Sequence, residues 1–191
     1  MKIGILAVQG AFIEHERILS QLGVECVELR QASDISELDG LVLPGGESTV
    51  QGKLLHELNM FEPMKQLITD GLPTLATCAG LILLAEHISN DSIVHLGTLP
   101  VRVKRNAYGR QLGSFRKKDN FKGIGEFEMT FIRAPYIEFA GTTEVLATVD
   151  ERIVAVKHKN QIGLAFHPEL GEDLRIHQMF VKMCKESSPH N

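Results

Sequence analysis

Apolar runs and amphipathic segments alternate through the first third of the chain. Apolar runs occupy positions 2–8, 24–29 and 40–43, and the segment after the first run has apolar residues at 12, 13, 18, 19 and 22. This spacing predicts an amphipathic helix over 12–22 that ends at Gly23. Residues 34–38 predict a second, short helix. The order strand, helix, strand, helix, strand is typical of a parallel sheet that is covered by helices on both faces.

After position 93 the pattern changes to short apolar runs broken by glycine, proline and charged residues. The runs at 97–103, 126–132 and 145–149 predict strands of a smaller, more antiparallel region. Residues 153–156 and 161–166 predict a closing hairpin with its turn near Lys159 and Asn160. Residues 173–183 predict an amphipathic terminal helix, and the residues from Ser187 onward predict a frayed tail. We therefore expect an α/β fold, organised as a single domain over residues 1–191.

The composition narrows the class of protein. Hydrophobic residues make up 43% and charged residues 23% of the 191 positions, as in ordinary globular domains. A net charge of −4 disfavours a nucleic-acid partner, because such proteins need a basic face against phosphates. The N-terminus lacks the pattern of a signal peptide, no apolar run reaches about 20 residues, and the three cysteines are widely spaced. We therefore expect a cytoplasmic protein with reduced thiols and without a structural metal site.

The segment 73–85 places Cys78 between a short strand and an apolar helix. Small residues at 76, 79 and 80 permit a sharp turn at that point. Free backbone N–H groups at a helix start favour a thiolate and can later hold an oxyanion. Cys78 is therefore a candidate nucleophile, whereas Cys26 and Cys184 have sequence surroundings typical of buried, unreactive cysteines.

A candidate base for this nucleophile lies in the segment 166–170. His167 alone has the pattern of an ordinary core histidine, but Glu169 follows it by two positions. At the end of a strand, residues two apart project to the same side, and Pro168 fixes the backbone between them. The carboxylate can then orient the imidazole and stabilise its cation. Together the three candidates predict a catalytic triad of Cys78, His167 and Glu169.

The segment 45–49, Gly-Gly-Glu-Ser-Thr, superficially suggests a phosphate-binding loop. It lacks the lysine and the glycine spacing of that motif, so we reject a nucleotide site. Two alternatives stay open at this stage. The adjacent glycines either form a plain turn or allow backbone N–H groups to face an oxyanion or a small carboxylate.

These motifs together resemble those of class I glutamine amidotransferases, and among them the glutaminase subunits of pyridoxal 5′-phosphate synthases. The cysteine and His-x-Glu motifs are shared across the superfamily, whereas the N-terminal and arginine-containing blocks point to the narrower group. One departure is Ala76, since the family usually has glycine two residues before the nucleophile. The matching blocks follow the family's order and cover nearly the whole chain: 5–12 with Glu14 and His15, 43–49, 77–80, 105–111, 131–135 and 166–170.

The resemblance implies a three-layer α/β/α sandwich with a mixed, mostly parallel sheet. It also implies hydrolysis of L-glutamine to L-glutamate and ammonia by Cys78, His167 and Glu169, with no cofactor. The backbone N–H groups of Gly46 and Ala79 are expected to form the oxyanion hole. The residues implied to bind glutamine are Gly46, Glu47, Ser48, Arg105, Ile132 and Arg133. For Arg105 and Arg133, a surface ion pair is the alternative interpretation.

The resemblance further implies a partner, because ammonia released into water is protonated and loses its nucleophilicity. That partner would be a (β/α)8-barrel synthase subunit in a large ring-shaped hetero-oligomer that makes pyridoxal 5′-phosphate. We expect Gln9, Gly10 and the first helix to contact it. Two alternatives remain: a glutaminase that serves another synthase, for example in histidine or purine biosynthesis, and a non-catalytic regulatory scaffold.

Overall fold

A computed structural model gives the fold of the chain and describes residues 1–108 and 113–187. In this part of the chain the α-helices are α1 (Phe12–Gln21), α2 (Ser48–Glu57), α3 (Phe61–Thr69), α4 (Ala79–Leu84) and α5 (Arg175–Ser187). The strands are β1 (Lys2–Leu6), β2 (Glu25–Leu29), β3 (Gly40–Leu43), β4 (Thr74–Thr77), β5 (Ala85–Ile88), β6 (Leu99–Lys104), β7 (Ser114–Phe121), β8 (Gly125–Ile132), β9 (Tyr136–Phe139), β10 (Glu144–Val149), β11 (Arg152–His158) and β12 (Gln161–Leu164).

The main sheet is mixed, with a parallel half and a largely antiparallel half. Its order is β2-β1-β3-β4-β12-β11-β9-β6-β5, and β10 pairs with β11 beside this path. The pairs β2/β1, β1/β3, β3/β4 and β4/β12 are parallel, whereas the pairs β12/β11, β11/β9 and β9/β6 are antiparallel. After β1 the chain first adds β2 on one side of β1 and then crosses back to add β3 on its other side. Loops after such strands diverge and leave a crevice, which is where ligands bind in open α/β sheets.

Helices cover both faces of the parallel half. A methyl group added to Gly40 of β3 would lie 2.6 Å from the Cys184 sulfur of α5, and one added to Gly163 of β12 would lie 2.8 Å from Leu81 of α4. Because Gly40 and Gly163 face opposite sides of the sheet, α5 and α4 belong to different layers. Helix α1 packs with α5, and α2 and α3 lie on the α4 side. The result is the expected three-layer α/β/α sandwich.

The hairpin β7/β8 forms a separate two-stranded sheet that covers the end of β12. Its aromatic rings pack on Phe166, with ring centroids 5.7 Å away for Phe131, 6.1 Å for Phe127 and 6.4 Å for Phe121. Phe166 and Phe131 are completely buried. This cluster fixes the chain just before His167.

Several sequence-based predictions of local structure were wrong. Residues 34–38 do not form a helix; a single 3-10 turn spans Ala32–Asp34 instead. The Asp34 carboxylate accepts the N–H groups of Arg30 and Gln31, at 2.9 and 3.1 Å, and thereby draws the turn toward the preceding residues. Ser187 is the last residue of α5 rather than part of a tail, and the rest of the predicted tail lies outside the described residues.

Helices α2 and α3 escaped prediction because each contains a residue that weakens the helical pattern. Gly52 lies within α2, and Pro63 lies in the first turn of α3, where its missing N–H group is not needed. In the described residues, no helix has the length and apolar character needed to span a membrane.

Candidate active site

Cys78 lies on a strained turn between β4 and α4. Its backbone has φ 49° and ψ −101°, a left-handed conformation that non-glycine residues rarely adopt, and its N–H donates to the Leu164 carbonyl at 2.8 Å. The turn brings α4 close against β3, since a side chain on Gly80 would lie 2.0 Å from the Leu43 carbonyl oxygen. Ala76, the departure from the family pattern, is fully buried in β4 between Leu43 and Gly163, and the turn forms with it.

The Cys78 thiol lies in the wall of a cavity of about 460 Å³ at the carboxyl ends of β1, β3 and β4. Cys78 is 7% exposed, and its sulfur lies 3.9 Å from the Ile132 carbonyl oxygen. The cavity therefore gives a small molecule access to the sulfur while the rest of the residue is packed in the core. All the residues predicted for the site except Glu169 line this cavity: Gln9, Gly10, Gly46, Glu47, Ser48, Cys78, Ala79, Arg105, Ile132, Arg133 and His167.

His167 and Glu169 form a short hydrogen bond, with His167 Nδ1 donating to Glu169 Oε1 at 2.6 Å. The route to this contact differs from the prediction. The two residues do not alternate along a strand, because a 3-10 turn spans Pro168–Leu170 and folds Glu169 back beneath the imidazole ring. The His167 N–H donates to the Thr130 carbonyl at 2.8 Å, so the β7/β8 hairpin also holds this corner.

The charges of this pair are set by its neighbours. Burial lowers the pKa of His167, but its hydrogen bonds to Cys78 and Glu169 outweigh burial and raise the pKa to about 10. Burial raises the pKa of Glu169, but His15 and His167 beside the carboxyl group outweigh it, so that this pKa lies below its usual range. At neutral pH the pair is therefore an imidazolium next to a carboxylate.

The loop 44–47 packs directly against the His167 ring. A side chain on Gly45 would lie 2.3 Å from His167 Cε1, so only glycine leaves room for the imidazole. The Gly45 N–H donates to Thr77 Oγ1 at 3.1 Å, and the Gly45 carbonyl accepts the Ala11 N–H at 3.0 Å. These two hydrogen bonds fix the peptide that carries the Gly46 N–H.

Two helix starts face the cavity. Ser48 and Ala79 are the first residues of α2 and α4, and the first N–H groups of a helix have no partner within that helix. The Ser48 hydroxyl is buried without a hydrogen-bond partner. These groups can donate to a negatively charged ligand or to an oxyanion.

The two arginines of the cavity differ in their surroundings. Arg105 Nη1 lies 2.8 Å from Asp91 Oδ2, and both side chains are about one-fifth exposed. Arg133 is exposed, has φ 42°, and pairs with no acidic side chain in the described part of the chain. Arg105 therefore combines the ion pair with a place in the cavity wall, whereas Arg133 is the cation available to a ligand carboxylate.

Gln9 and Gly10 were predicted as partner contacts, and the structure places them on the rim of the cavity. Gln9 Oε1 accepts the Glu47 N–H at 2.8 Å, and the Gln9 carbonyl accepts from the Gln51 amide at 3.1 Å. Gln9 thus holds the loop 44–47 in place. Whether a partner covers it stays a prediction.

Sequence reasoning missed a buried histidine cluster behind the triad. His15 of α1 lies 3.5 Å from Glu169 Oε2, 3.3 Å from Thr77 Oγ1 and 2.9 Å from His177 of α5. In the sequence, His15 and His177 both have the pattern of ordinary core histidines. The signal that could have marked His15 is its place in the matching N-terminal block, on the buried side of α1.

The fold and the site together define an α/β protein of the class I glutamine amidotransferase type, with a cysteine on a strand-helix turn opposite a His-Glu pair. A model of the SNO glutamine amidotransferase family matches residues 5–186, and the chain belongs to that family.

Similar proteins agree with this family. Pyridoxal 5′-phosphate synthase subunit PdxT of Desulfitobacterium hafniense (strain DSM 10664 / DCB-2) is 65% identical over 183 residues, which covers 95% of this chain and 92% of that protein. The protein of the same description from Streptococcus pneumoniae (strain ATCC 700669 / Spain 23F-1) is 56% identical over 193 residues, covering 98% and 100%. A crystal structure described as a glutamine amidotransferase superposes with a TM-score of 0.91, at 39% identity, covering 96% of this chain and 98% of that one.

Proposed function

We propose that the chain is a glutaminase that hydrolyses L-glutamine to L-glutamate and ammonia, and that it delivers the ammonia to a synthase subunit for pyridoxal 5′-phosphate formation. One observation carries the proposal: Cys78, held on a strained turn, shares its cavity with His167, which is hydrogen-bonded to the buried Glu169, in a chain of the glutamine amidotransferase family. The complete set of nucleophile, base and orienting carboxylate favours an enzyme over a regulatory scaffold.

The chemistry begins with the Cys78 thiolate and the His167 imidazolium. The thiolate attacks the side-chain amide carbon of glutamine, and the resulting oxyanion accepts hydrogen bonds from the N–H groups of Gly46 and Ala79. His167 gives its proton to the departing amine, the C–N bond breaks, and ammonia leaves behind a thioester.

The second half of the reaction restores the enzyme. His167, now neutral, takes a proton from water as the hydroxide attacks the thioester carbon. The C–S bond then breaks to give the Cys78 thiolate and the side-chain carboxylic acid, which releases its proton to solvent as glutamate, while the proton taken from water stays on His167. Glu169 stabilises the imidazolium at both ends of this cycle. No step needs a metal ion or an organic cofactor.

Glutamine also presents an α-carboxylate and an α-ammonium group. We assign the carboxylate to Arg133, with Arg105 as the second cation of the cavity wall. The Glu47 carboxylate suits the ammonium group, and Ser48 and Gly46 offer further hydrogen bonds. The Ile132 carbonyl and side chain border the same space. The buried, unpartnered Ser48 hydroxyl supports a polar ligand at this point.

The partner follows from the product, because ammonia that escapes into water is protonated. The relatives are named subunits of pyridoxal 5′-phosphate synthase. We therefore propose that this chain, as one domain, docks on a (β/α)8-barrel synthase subunit within a ring-shaped hetero-oligomer. Gln9 and Gly10 are the proposed contacts. Since Gln9 binds the Glu47 N–H, docking there would act directly on the loop that carries the Gly46 N–H.

The test combines glutamate release with synthesis in the reconstituted complex. The cognate synthase subunit is mixed with the parental chain or with Cys78→Ala, and pyridoxal 5′-phosphate is measured with either glutamine or an ammonium salt as nitrogen source. We expect the parental complex to use both sources and the Cys78→Ala complex to use the ammonium salt alone. Glutamate release by the parental chain that did not exceed that of Cys78→Ala would contradict the glutaminase proposal. Failure to bind the synthase subunit would contradict the partner.

A further inference from the structure

The proposed mechanism uses one oxygen of Glu169 and leaves the other unexplained. Oε1 accepts a hydrogen bond from His167 Nδ1 at 2.6 Å. Oε2 is buried and has no hydrogen-bond partner in the described part of the chain. His15 Nε2 lies 3.5 Å from Oε2. Glu169 and His15 both have 0% exposure. A carboxylate oxygen that is buried without any donor would be strongly unfavourable, so the direction of the His15 N–H matters.

A second histidine determines that direction. His15 Nδ1 lies 2.9 Å from His177 Nε2, and His177 is also fully buried. Burial lowers the pKa of both rings, that of His177 to about 3, so both are neutral and each carries a single N–H group. Only one of the two facing nitrogens can therefore be the donor.

The two possible proton arrangements differ in what they leave unpaired. If His15 Nδ1 donates to His177, then His15 Nε2 has no proton, and Glu169 Oε2 faces a lone pair. If His177 Nε2 donates to His15 Nδ1, then His15 Nε2 carries the proton; this nitrogen hydrogen-bonds Thr77 Oγ1 at 3.3 Å and lies 3.5 Å from Glu169 Oε2. The second arrangement places an N–H group, rather than a lone pair, 3.5 Å from the charged oxygen. It leaves the neutral His177 Nδ1 without a partner, at lower cost than a carboxylate oxygen that faces a lone pair.

We propose that His15 is a positioning residue of the active site, which donates its Nε2–H to the Glu169 carboxylate while His177 fixes its tautomer. This proposal rests on the proposed glutaminase function. His15 holds Glu169 in the orientation that lets Oε1 bind His167, and so acts on the reaction through the imidazole ring. His15 belongs to α1 and His177 to α5, so the packing of two helices sets the position of the base.

The first experiment reads the protons directly in the unmodified protein. Nitrogen-15 NMR of the histidine side chains distinguishes a protonated ring nitrogen from an unprotonated one. We expect His15 and His177 to be neutral near pH 7, each with its proton on Nε2. A proton on Nδ1 of His15 would overturn the proposal, and this measurement depends neither on activity nor on the folding of a variant.

The second experiment compares two replacements of His15 in the complex with the synthase subunit. The amide of His15→Gln can place a donor near the position of Nε2, whereas His15→Leu cannot. We expect His15→Leu to lower kcat for glutamine hydrolysis by about tenfold or more, with KM within about twofold of the parental value. We expect His15→Gln to recover most of the lost kcat.

Ile18→Ala serves as the matched control, because Ile18 is buried in the same helix as His15 and carries no polar group that could donate to Glu169. It should lower the melting temperature while kcat, measured well below that temperature, stays near the parental value. Equal kcat for the folded Leu and Gln variants would overturn the inference alone. Absence of glutamate release in the parental complex would overturn both this inference and the proposed function, so that the two failures are distinguishable.

Discussion

The nucleophile and the base of this site are held by different kinds of structure. Cys78 lies on one contiguous strand-turn-helix segment with φ 49° at the turn, and a single backbone hydrogen bond to the Leu164 carbonyl ties that turn to β12. His167 is positioned by the Glu169 carboxylate two positions away and also by two parts that are distant in sequence, the Thr130 carbonyl and the Gly45 backbone. A short motif encodes the backbone conformation at Cys78, whereas the position of the His167 ring depends on the packing of the whole domain. Substitutions far from the site should therefore affect the base before they affect the nucleophile.

The largest effect should come from removing the nucleophile itself. Cys78→Ala takes away the sulfur and little volume, so we expect glutaminase activity to fall by about a thousandfold or more while the fold and synthase binding persist. Steady-state glutamate release, with circular dichroism as a control for folding, is the measurement. Substantial remaining activity would show that the covalent mechanism is wrong.

The base and its orienting carboxylate should differ in importance. His167→Asn removes the proton carrier, and we expect a loss of kcat approaching that of Cys78→Ala. Glu169→Gln keeps a hydrogen-bond acceptor near His167 but loses the charge that stabilises the imidazolium, so we expect a smaller loss, of roughly ten- to a hundredfold. Parental kcat in both variants would refute the triad.

The contrast between local and long-range structure also explains what the sequence could predict. The strand-turn-helix around Cys78 and the parallel start of the sheet were predicted correctly, because short apolar runs and small residues determine them. The cysteine and the His-Glu pair could be chosen from motif spacing alone. The 3-10 turn after His167 could not, because its conformation depends on the hairpin that packs on Phe166.

Contacts between distant elements were equally inaccessible to sequence reasoning. His15 and His177 are 162 positions apart, and neither carries a local signal that places it behind Glu169. The same holds for the difference between the arginines. Asp91, which pairs with Arg105, lies on a loop that resembles any other polar segment in the sequence.

That difference between the arginines gives a prediction of intermediate size. Arg133→Leu removes the unpaired cation of the cavity, and we expect KM for glutamine to rise by about ten- to a hundredfold with a smaller change in kcat, since a charge-assisted hydrogen bond contributes roughly 1.5–3 kcal/mol. Asp91→Asn weakens the hold on Arg105, and KM should rise only a few-fold. Glutamine titrations of the complex measure both effects. A larger effect of Asp91→Asn than of Arg133→Leu would reverse the assignment of the two arginines.

The smallest predicted effect concerns stability at acidic pH, where the buried histidines oppose folding. The pKa values of His15 and His177 are lowered from 6.5 in the folded state, so the unfolded chain binds protons first as pH falls below about 6.5. Stability from this source is complete above pH 6.5 and is lost as pH falls, at up to about 1.4 kcal/mol per pH unit for each histidine.

Glu169 does not contribute in this range, because its lowered pKa affects stability only below about pH 4.5. The raised pKa of His167 affects stability above pH 6.5 instead, where its contribution is lost as pH rises toward about 10.

In the interval between pH 6.5 and about pH 5, the buried histidines therefore make the pH dependence steeper, and His95 adds to it because burial lowers its pKa as well. Urea titrations at several pH values give the free energy of unfolding, and its slope against pH counts the protons taken up on unfolding. We expect His177→Leu to reduce this number by about one in this interval. His87→Gln is the matched control for the loss of one histidine, because His87 is exposed on β5 and lies outside the buried pair. If His177→Leu retained the parental pH dependence, the two rings would not be neutral in the folded state. The corner that holds the base would then contain a third buried charge beside the imidazolium and the carboxylate, and the proton arrangement inferred for His15 would be wrong.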